Sequence, residues 1–338
     1  MRISKFIENY PKLLELSRAV VLVAGPGVGK TDAILTARDL GWDVLLFHPS
    51  VSDPTDFKGQ PYAFATPEGE AKARHLPYED LDKLIKADRK TVAFFDDMGQ
   101  GAPATQAAMM QLFLQREVAG HKVSELVRFM GATNRAEDKA GVASMIEPLK
   151  GRCKLLHIET DIDDWCDWAY SQEWMPAEVP AFLRFETSEL NNFVPSRDIT
   201  NTPTPRNWAS LGETVNAGMC DLELLAGDVG QSAAVKFLAF RDVYMDLPDP
   251  DEILKNPETA EIPDKTRPDV MYALMGALSH RSRPGTAEAI VKYLGRVPKE
   301  MSVLCMKDCF AKNKTGGFKN HAAVTQWCID NQSIMSLA

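Results

Sequence analysis

The chain has 338 residues, of which 45% are apolar and 25% charged, and its formal net charge at pH 7 is −9. This length can hold two or three domains, and the apolar fraction is that of an ordinary globular protein. The acidic balance argues against a general attraction to nucleic acid, but it does not exclude a local basic channel in an oligomer. No apolar run approaches the roughly 18 residues of a membrane span, and the first residues lack a signal-peptide core, so we expect a cytoplasmic protein without a membrane span.

The first two predicted elements lead into a glycine-rich turn. Residues 3–16 show the spacing of an amphipathic helix, which we expect Pro11 to kink or split. Residues 19–24 are an apolar run typical of a buried parallel strand, and residues 32–40 show a helical pattern after the turn. Strand, glycine turn and helix in this order form the context of a phosphate-binding loop, with a chance glycine turn after a core strand as the alternative.

The glycine turn has the residues that such a loop needs. Glycines let backbone N–H groups converge on a phosphate without a Cβ clash, and the next helix adds its free N–H groups and positive dipole end. Lys30 would reach the β- and γ-phosphates of ATP, and the Thr31 hydroxyl would bind Mg²⁺. Ala24 replaces the first glycine of the pattern G-x-x-x-x-G-K-[ST], where one added methyl group should be tolerated. The candidate nucleotide-binding residues are Gly25, Pro26, Gly27, Val28, Gly29, Lys30, Thr31 and Asp32.

The next stretch is predicted to contain a strand and a hairpin. Residues 42–47 form the strand, and residues 53–61 form a short helical turn and a loop. The sequence Thr-Pro-Glu-Gly at 66–69 lies between two extended stretches and indicates a hairpin, with a plain surface loop as the alternative. Aromatic and basic side chains are frequent in residues 57–75, so we expect this segment to contact a partner or line a pore. These side chains are Phe57, Lys58, Tyr62, Phe64, Lys72 and Arg74.

Two further strands end in polar residues. The stretch 91–97 is an apolar strand that ends in two carboxylates, Asp96 and Asp97. In phosphate-loop enzymes the first such acid holds Mg²⁺, usually through water, and the second orients or deprotonates the attacking water. A strand that ends in a solvated turn is the alternative, which the upstream loop disfavours. Residues 126–134 form another apolar strand, and it ends at Asn134.

The remaining elements are one strand and many helices. A helix with an apolar set at Ala107, Met110, Leu112 and Leu114 is predicted over 104–117. A short helix over 143–149 precedes a fifth strand at 153–158. Aspartates from residue 161 onward cap a helix, and the rest of the chain shows helices broken by Pro and Gly. Residues 247–268 are expected to be an exposed connection.

The six cysteines are scattered, and reduced thiols are the expectation for a cytoplasmic protein. A zinc site could be drawn from Cys305, Cys309, Cys328 and His321. However, the first two cysteines are four residues apart on a predicted helix, and the spacing matches no common zinc finger. We therefore expect buried core thiols.

The motifs occur in an order that resembles the AAA+ ATPases, and within them the MoxR-like group. The order is the glycine loop at 25–31, the acidic strand end at 94–97, the strand end at 132–134, Gly-Arg at 151–152 and Thr-Pro-Arg at 204–206. Residues 56–61 and 97–117 also look like segments of the MoxR-like group, and the resemblance covers about residues 15–215.

The resemblance implies a fold class: an α/β P-loop NTPase domain of the AAA+ type, with a parallel sheet flanked by helices, followed by an all-helical lid and a helical C-terminal extension. It implies a nucleotide-binding α/β domain over 1–160, a helical lid over 161–245 and the extension over 246–338.

The resemblance also assigns roles to single residues. Asp96 would lie near Mg²⁺, and Asp97 stands where the family usually has a catalytic Glu. Asn134 would be the polar sensor that orients the lytic water. Arg152, preferred over Arg135, would be the arginine finger given to the neighbouring subunit. The lid arginine that senses the γ-phosphate would be Arg206.

Asp97 is a departure from the family pattern. Aspartate is one methylene shorter than glutamate, which sets the carboxylate back by roughly 1–1.5 Å. A misplacement of this size can cost about 100-fold in rate, so we expect either a slow ATPase or a compensating backbone.

The function implied is that of an ATPase that uses ATP and Mg²⁺ and remodels or activates a partner protein as a ring, a hexamer in the leading interpretation. The client would carry a metal-dependent adhesion-type domain or be a metalloenzyme. A nucleic-acid motor or loader is the first alternative, which the acidic balance disfavours. A nucleotide switch with negligible turnover is the second. A small-molecule kinase is the last, because it would not need Asn134, Arg152 and Arg206 in this order.

Overall fold

The computed structural model describes residues 1–135, 138, 145–195, 198–245, 247, 249–264, 266–314 and 316–332. The chain divides into two compact units, Met1–Glu159 and Thr160–Ala338. No helix in these ranges is both long enough and apolar enough to cross a membrane.

The first unit is built on a parallel sheet. Its strands in chain order are β1 (Val20–Val23), β2 (Asp43–Phe47), β3 (Gln60–Ala65), β4 (Ala71–Leu76), β5 (Thr91–Phe95), β6 (Glu117–Val118), β7 (His121–Lys122), β8 (Val127–Thr133) and β9 (Lys154–His157). Five of these described strands pair in the order β2-β5-β8-β1-β9, and every pairing is parallel. The carboxyl ends of all five therefore lie at one edge of the sheet. The five predicted strands are confirmed as one sheet.

Helices cover both faces of this sheet. They are α1 (Ile3–Leu13), α2 (Lys30–Leu35), α3 (Pro54–Lys58), α4 (Glu79–Lys86), α5 (Pro103–Gln115) and α6 (Glu147–Lys150). Alternate strand residues enter two different cores, as a period of two requires. Val21 and Phe95 pack into one core, and Leu22 and Phe94 pack into the other. A parallel α/β sheet flanked by helices, the first part of the predicted fold class, is thus confirmed.

The first helix differs in detail from its prediction. Helix α1 runs through Pro11 without a split, because Pro11 lies near its carboxyl end. Tyr10 of α1 is fully buried, and its hydroxyl donates to the Ile34 carbonyl at 2.9 Å. Ile7 is 42% exposed. A satisfied hydroxyl thus lets a tyrosine take a core position.

The predicted hairpin is present as β3 and β4, which pair antiparallel. The inclusion of Phe57 among the contacting side chains is wrong. Phe57 is buried under the sheet, and its ring lies 6.2 Å from that of Phe47 and 6.0 Å from that of Phe95. Tyr62 and Phe64 pack on each other with ring centroids 6.0 Å apart, and Arg74 of β4 lies over both rings.

The apolar stripe of α5 is shifted from the predicted one. Ala107 and Leu114 are exposed, whereas Ala108, Met109 and Leu112 are buried. The helix begins at Pro103, one residue before the predicted start at 104. Part of the short helix predicted over 143–149 lies outside the described residues, and the observed helix there is α6.

The second unit is helical in its described part. Its helices are α7 (Ile162–Tyr170), α8 (Glu178–Phe185), α9 (Pro205–Asn216), α10 (Leu222–Val229), α11 (Gln231–Met245), α12 (Pro250–Lys255), α13 (Pro268–His280), α14 (Ala287–Leu294), α15 (Lys299–Lys312) and α16 (Ala322–Asp330). This confirms the helical second part of the predicted fold class. Asp161 caps α7 as expected, because its carboxylate accepts from the N–H groups of Asp163 and Asp164.

Two hydrophobic cores stabilise this unit, and α13 contributes to both. Ala273 packs into the core that contains Trp208 and Phe182, and Leu274 packs into the core that contains Tyr293. The expectation of a wholly exposed connection over 247–268 is wrong, because α12 lies within it and buries Ile253.

Cys305 and Cys309 lie in the second of these cores, as expected for core thiols, and Cys328 is partly exposed. Among the described residues no group of three or more His, Cys, Asp or Glu side chains is placed to hold a metal ion. The division of the helical part at residue 245 stays a prediction.

Candidate nucleotide-binding site

The predicted phosphate-binding loop connects β1 to α2 at the carboxyl edge of the sheet. The N–H group of Ala24 donates to the Thr133 carbonyl at 3.2 Å, which ties the start of the loop to the end of β8. Gly27 and Gly29 have φ angles of 70° and 90°, a region that side-chain-bearing residues rarely adopt. Ala24 is buried among apolar neighbours, so its methyl group fits where the motif has glycine.

Lys30 is the first residue of α2, and its side chain turns back across the loop. The residue is only 7% exposed. Its ammonium donates to the carbonyls of Ala24 at 3.2 Å and Gly25 at 2.7 Å, and to Oδ1 of Asn134 at 2.8 Å. The fold thus brings together the predicted phosphate-binding lysine and the predicted sensor, which are 104 residues apart in sequence.

Thr31 and Asp96 form the second pair. The Thr31 hydroxyl donates to Oδ2 of Asp96 at 2.8 Å, although 65 residues separate them in the chain. The other oxygen, Oδ1, accepts from the N–H group of Asp97 at 3.0 Å, and the N–H group of Asp96 donates to the Phe47 carbonyl at 2.9 Å. A hydroxyl and a carboxylate in contact offer the oxygen ligands that Mg²⁺ prefers.

Asp97 adopts a left-handed backbone conformation directly after β5, with φ of 50° and ψ of 36°. Such conformations are uncommon outside glycine, and aspartate is among the residues that tolerate them best. The Asp96 carboxylate holds its N–H group, and its carbonyl accepts from the N–H group of Gln100 at 2.9 Å. The turn that carries the Asp97 carboxylate is therefore fixed from both sides.

Gln106 fixes the same turn and was missed by the sequence analysis. It is fully buried in α5. Its amide nitrogen donates to the carbonyls of Gly101 at 2.9 Å and Gly99 at 3.3 Å, and its amide oxygen accepts from the Ile146 N–H group at 2.9 Å. The sequence does carry a signal for this role of Gln106: a polar residue lies on the buried stripe of the helix, three positions before Met109.

The two candidate finger arginines lie at different places in the first unit. Arg152 follows α6, and its Nη1 donates to the Pro148 carbonyl, which is the contact of a helix cap. Its Nε is buried and finds no hydrogen-bond acceptor among the described residues. Arg135 directly follows Asn134, and its N–H group donates to the Asp138 carboxylate at 3.2 Å. Asp138 lies beside the glycine loop, since a Cβ at Gly25 would be 3.7 Å from its Oδ2.

The remaining site candidates are Asp32 and Arg206. Asp32 is exposed in the first turn of α2. Arg206 is exposed in the first turn of α9, in the second unit. Thr204 caps that helix, because its hydroxyl accepts from the Asn207 N–H group at 3.2 Å. The start of α9 is therefore well defined, with Arg206 one residue after the initial proline.

The residues present fit a nucleotide with Mg²⁺. Positive-φ glycines, a buried lysine and a helix start converge at the end of β1, as phosphate groups require. Thr31 in the first turn of α2 and Asp96 after β5 supply hard oxygen ligands at the same edge of the sheet. Asn134, which directly follows β8, adds an amide oxygen that accepts from the Lys30 ammonium.

Comparison with known proteins found no matching family model and no curated relative. Among solved structures, the chain is similar to a mutant of RuvB from Thermotoga maritima, with 15% identity and a TM-score of 0.42 over 82% of this chain and 80% of that one. It is also similar to the Thermotoga maritima RuvB Holliday junction branch migration motor, with 15% identity and a TM-score of 0.39 over 76% and 74% of the two chains. For NtrX from Brucella abortus the identity is 12% and the TM-score 0.39, over 97% of this chain and 67% of that one. At these values the likenesses carry no conclusion about function.

Proposed function

We propose that the chain is an ATPase of the AAA+ type, which hydrolyses ATP to ADP and phosphate with Mg²⁺. The observation that carries the proposal is the pair of contacts Lys30–Asn134 and Thr31–Asp96 at the ends of β1, β5 and β8. Random placement of a glycine turn would not put a buried lysine, a hydroxyl, a carboxylate and an amide from three strand ends together.

Each residue has a defined task in this reaction. Lys30 exchanges its carbonyl acceptors for β- and γ-phosphate oxygens, which carry more charge. Thr31 and Asp96 hold Mg²⁺, which when bound neutralises charge on the phosphates. Asp97 orients the water that attacks the γ-phosphorus and accepts its proton, while the bond from the γ-phosphorus to the bridging oxygen breaks. Asn134 holds the same water on its other side.

The experiment that tests the proposal is release of phosphate from ATP by the purified chain, with and without Mg²⁺. Phosphate release that requires Mg²⁺ supports it. Tight ATP binding without measurable release would support the nucleotide switch instead, which the shorter Asp97 side chain favours. Absence of both binding and release would contradict the assignment of the loop.

We further propose that neighbouring copies assemble into a ring, a hexamer as in the MoxR-like group, that acts on a client protein. Arg152 would be the finger offered to the next copy, as the resemblance to the MoxR-like group implies. The hairpin of β3 and β4 would contact the client, because all of β4 is exposed and Arg74 presents its charge over two aromatic rings. Replacing Tyr62 and Phe64 by Ala should leave basal ATP hydrolysis intact and impair the client-dependent activity, whereas loss of folding would show that both are core residues.

A further inference from the structure

The hairpin of β3 and β4 has two different faces. Side chains alternate across a strand, so the even-numbered residues share one face and the odd-numbered residues the other. The even face places Tyr62 and Phe64 of β3 opposite Arg74 and Lys72 of β4. The odd face consists mainly of small exposed side chains, namely Ala63, Ala65, Ala71 and Ala73. One face of the hairpin is therefore aromatic and cationic, and the other is flat.

The turn of the hairpin fixes which backbone groups of β4 point outward. The N–H group of Thr66 donates to the Glu70 carbonyl at 2.8 Å, which makes these two residues a hydrogen-bonded pair. In an antiparallel pair of strands, hydrogen-bonded and non-hydrogen-bonded positions alternate. The even-numbered residues of β4 therefore bond to β3. The N–H and C=O groups of its odd-numbered residues, Ala71, Ala73 and His75, face away from β3.

This outer edge of β4 is open. Among the described strands, β3 and β4 form a sheet of two, and none of the hydrogen bonds found for the described residues uses the outward groups of Ala71, Ala73 or His75. An exposed strand edge is a template for a further strand. The outer edge of β3 is less suited to this, because Pro61 lies among its outward residues and has no N–H group.

Arg74 is held in place on the even face. Its guanidinium lies 5.1 Å from the ring centroid of Tyr62 and 4.7 Å from that of Phe64, and its Nε donates to the Tyr62 hydroxyl. In the described part of the chain no carboxylate forms an ion pair with it. The guanidinium covers ring surface on which a nucleotide base would stack, which favours a polypeptide over a single-stranded nucleic acid.

The cations of β4 indicate which kind of strand fits its edge. Lys72 pairs with Glu70 at 3.2 Å, and more than half of each side chain is exposed. If two copies of β4 paired antiparallel about Ala73, Lys72 of each copy would lie opposite Arg74 of the other, and like charges directly opposite destabilise a sheet. A strand with acidic side chains at alternate positions would instead bring a carboxylate beside each cation.

Building on the client contact proposed for this hairpin, we propose that the outer edge of β4 binds an extended acidic segment of the client protein as a third, antiparallel strand. The backbone of this segment pairs with Ala71, Ala73 and His75, and its acidic side chains lie beside Lys72 and Arg74. The main-chain hydrogen bonds supply affinity, and the alternating charge supplies selectivity.

The test is titration of the full chain, without nucleotide, with a dye-labelled peptide in which glutamate and valine alternate, followed by fluorescence anisotropy. Ala73→Pro removes an outward N–H group and should weaken binding about fivefold or more, the value of one backbone hydrogen bond. Ala63→Pro is the matched control, because Ala63 pairs with Ala73 but lies on the other outer edge, and it should bind like the wild type. Neither N–H group bonds within the hairpin, so both positions tolerate proline.

Two further arms separate the backbone contact from the charge. Lys72→Gln with Arg74→Gln should weaken binding about fivefold at low ionic strength and less at physiological ionic strength. The valines of the peptide lie opposite the outward residues of β4 when its glutamates lie beside the cations. Methylation of the valine nitrogens should therefore abolish binding, whereas methylation of the glutamate nitrogens should preserve it. These peptides leave the chain unchanged and decide the matter if Ala73→Pro does not fold.

Three results would overturn the proposal: no binding of the acidic peptide by the wild-type chain, equal affinities of the two methylated peptides, or equal affinities of Ala73→Pro and Ala63→Pro. Equal affinities combined with a loss in the Lys72/Arg74 variant, and with binding of a single-stranded oligonucleotide, would show that the cations attract any polyanion. Since no nucleotide is present, a failure here leaves the ATPase proposal untouched, and the absence of ATP hydrolysis would leave this binding unaffected.

Discussion

Among the described residues each unit buries one Lys or Arg side chain, and these two cations have different surroundings. Lys30 in the first unit is 7% exposed, and Arg184 in the second is 6% exposed. The acceptors of Lys30 include two loop carbonyls and the Asn134 amide oxygen, at the edge where the strands end. Arg184 lies inside a helical layer, where it pairs with Asp163 and, at 2.8 Å, with Asp308.

The difference separates a binding group from a structural one. Neutral carbonyl oxygens can be exchanged for phosphate oxygens with a gain, because the phosphate carries the larger charge. Carboxylates already neutralise an arginine, and removal of one partner leaves an uncompensated buried charge. Burial of a cation therefore does not by itself indicate a ligand site. The nature of its acceptors and its place at the strand ends do.

The largest effect on ATP affinity is expected for Lys30→Ala, which should weaken ATP binding by about 100-fold or more, since a buried charge contact is lost. Isothermal titration with ATP measures this, and Lys154→Ala, at an exposed position of β9, is the control. The reciprocal variant, Arg184→Ala, should instead lower the free energy of unfolding by about 3–5 kcal/mol. An unchanged ATP affinity of Lys30→Ala would remove the distinction between the two cations.

Arg152→Ala should bind ATP and assemble, yet hydrolyse ATP about 10³-fold or more slowly, if the arginine acts on the nucleotide of the neighbouring copy. Its defect should then act in trans. Mixed with Lys30→Ala, which keeps its own Arg152, it should recover part of the steady-state rate.

The observed contact of Arg152 with the Pro148 carbonyl provides the competing explanation. If capping α6 is its whole role, the variant would have a lower melting temperature, a normal rate per folded subunit and no recovery on mixing.

Asp97→Asn should bind ATP and hydrolyse it about 10²- to 10⁴-fold more slowly, because the amide cannot accept the proton of the attacking water. Asp97→Glu should keep or raise the rate if the shorter side chain alone limits it. Steady-state phosphate release compares the three proteins. Wild-type turnover by Asp97→Asn would mean that another residue orients the water.

The sequence was sufficient for the five strands of the sheet and the phosphate-binding loop, because apolar strands, the glycine turn and terminal polar residues are local signals. Thr31 and Asp96 were both expected near Mg²⁺ from their motifs, but their direct contact was seen only in the structure. The burial of Phe57 and the hydrogen bonds by which Gln106 fixes the turn after Asp97 could not be predicted from the sequence, because both depend on contacts between distant segments. The ion pairs of Arg184 were missed for the same reason, since its partners lie 21 and 124 residues away.

The smallest effect concerns the pH dependence of the buried pair in the second unit. Burial raises the pKa of the Asp308 carboxyl to about 6, although Arg184 opposes the rise. The folded protein therefore takes up a proton near pH 6 that the unfolded chain takes up only near pH 4. Since the folded state binds more protons in this window, this group makes the protein more stable as the pH falls from 7 to 5, by about 1 kcal/mol.

Asp308→Asn removes this titration while it keeps the size of the side chain. Urea unfolding at pH 7 and at pH 5 gives the free energy of unfolding of the wild type and of Asp308→Asn. The difference between the two proteins should change by this amount in favour of the wild type when the pH is lowered from 7 to 5. The effect should appear in a probe of the second unit, such as tryptophan fluorescence, because all six tryptophans except Trp42 lie there. A difference that is independent of pH would mean that Asp308 stays ionised through this range, and that Arg184 outweighs burial.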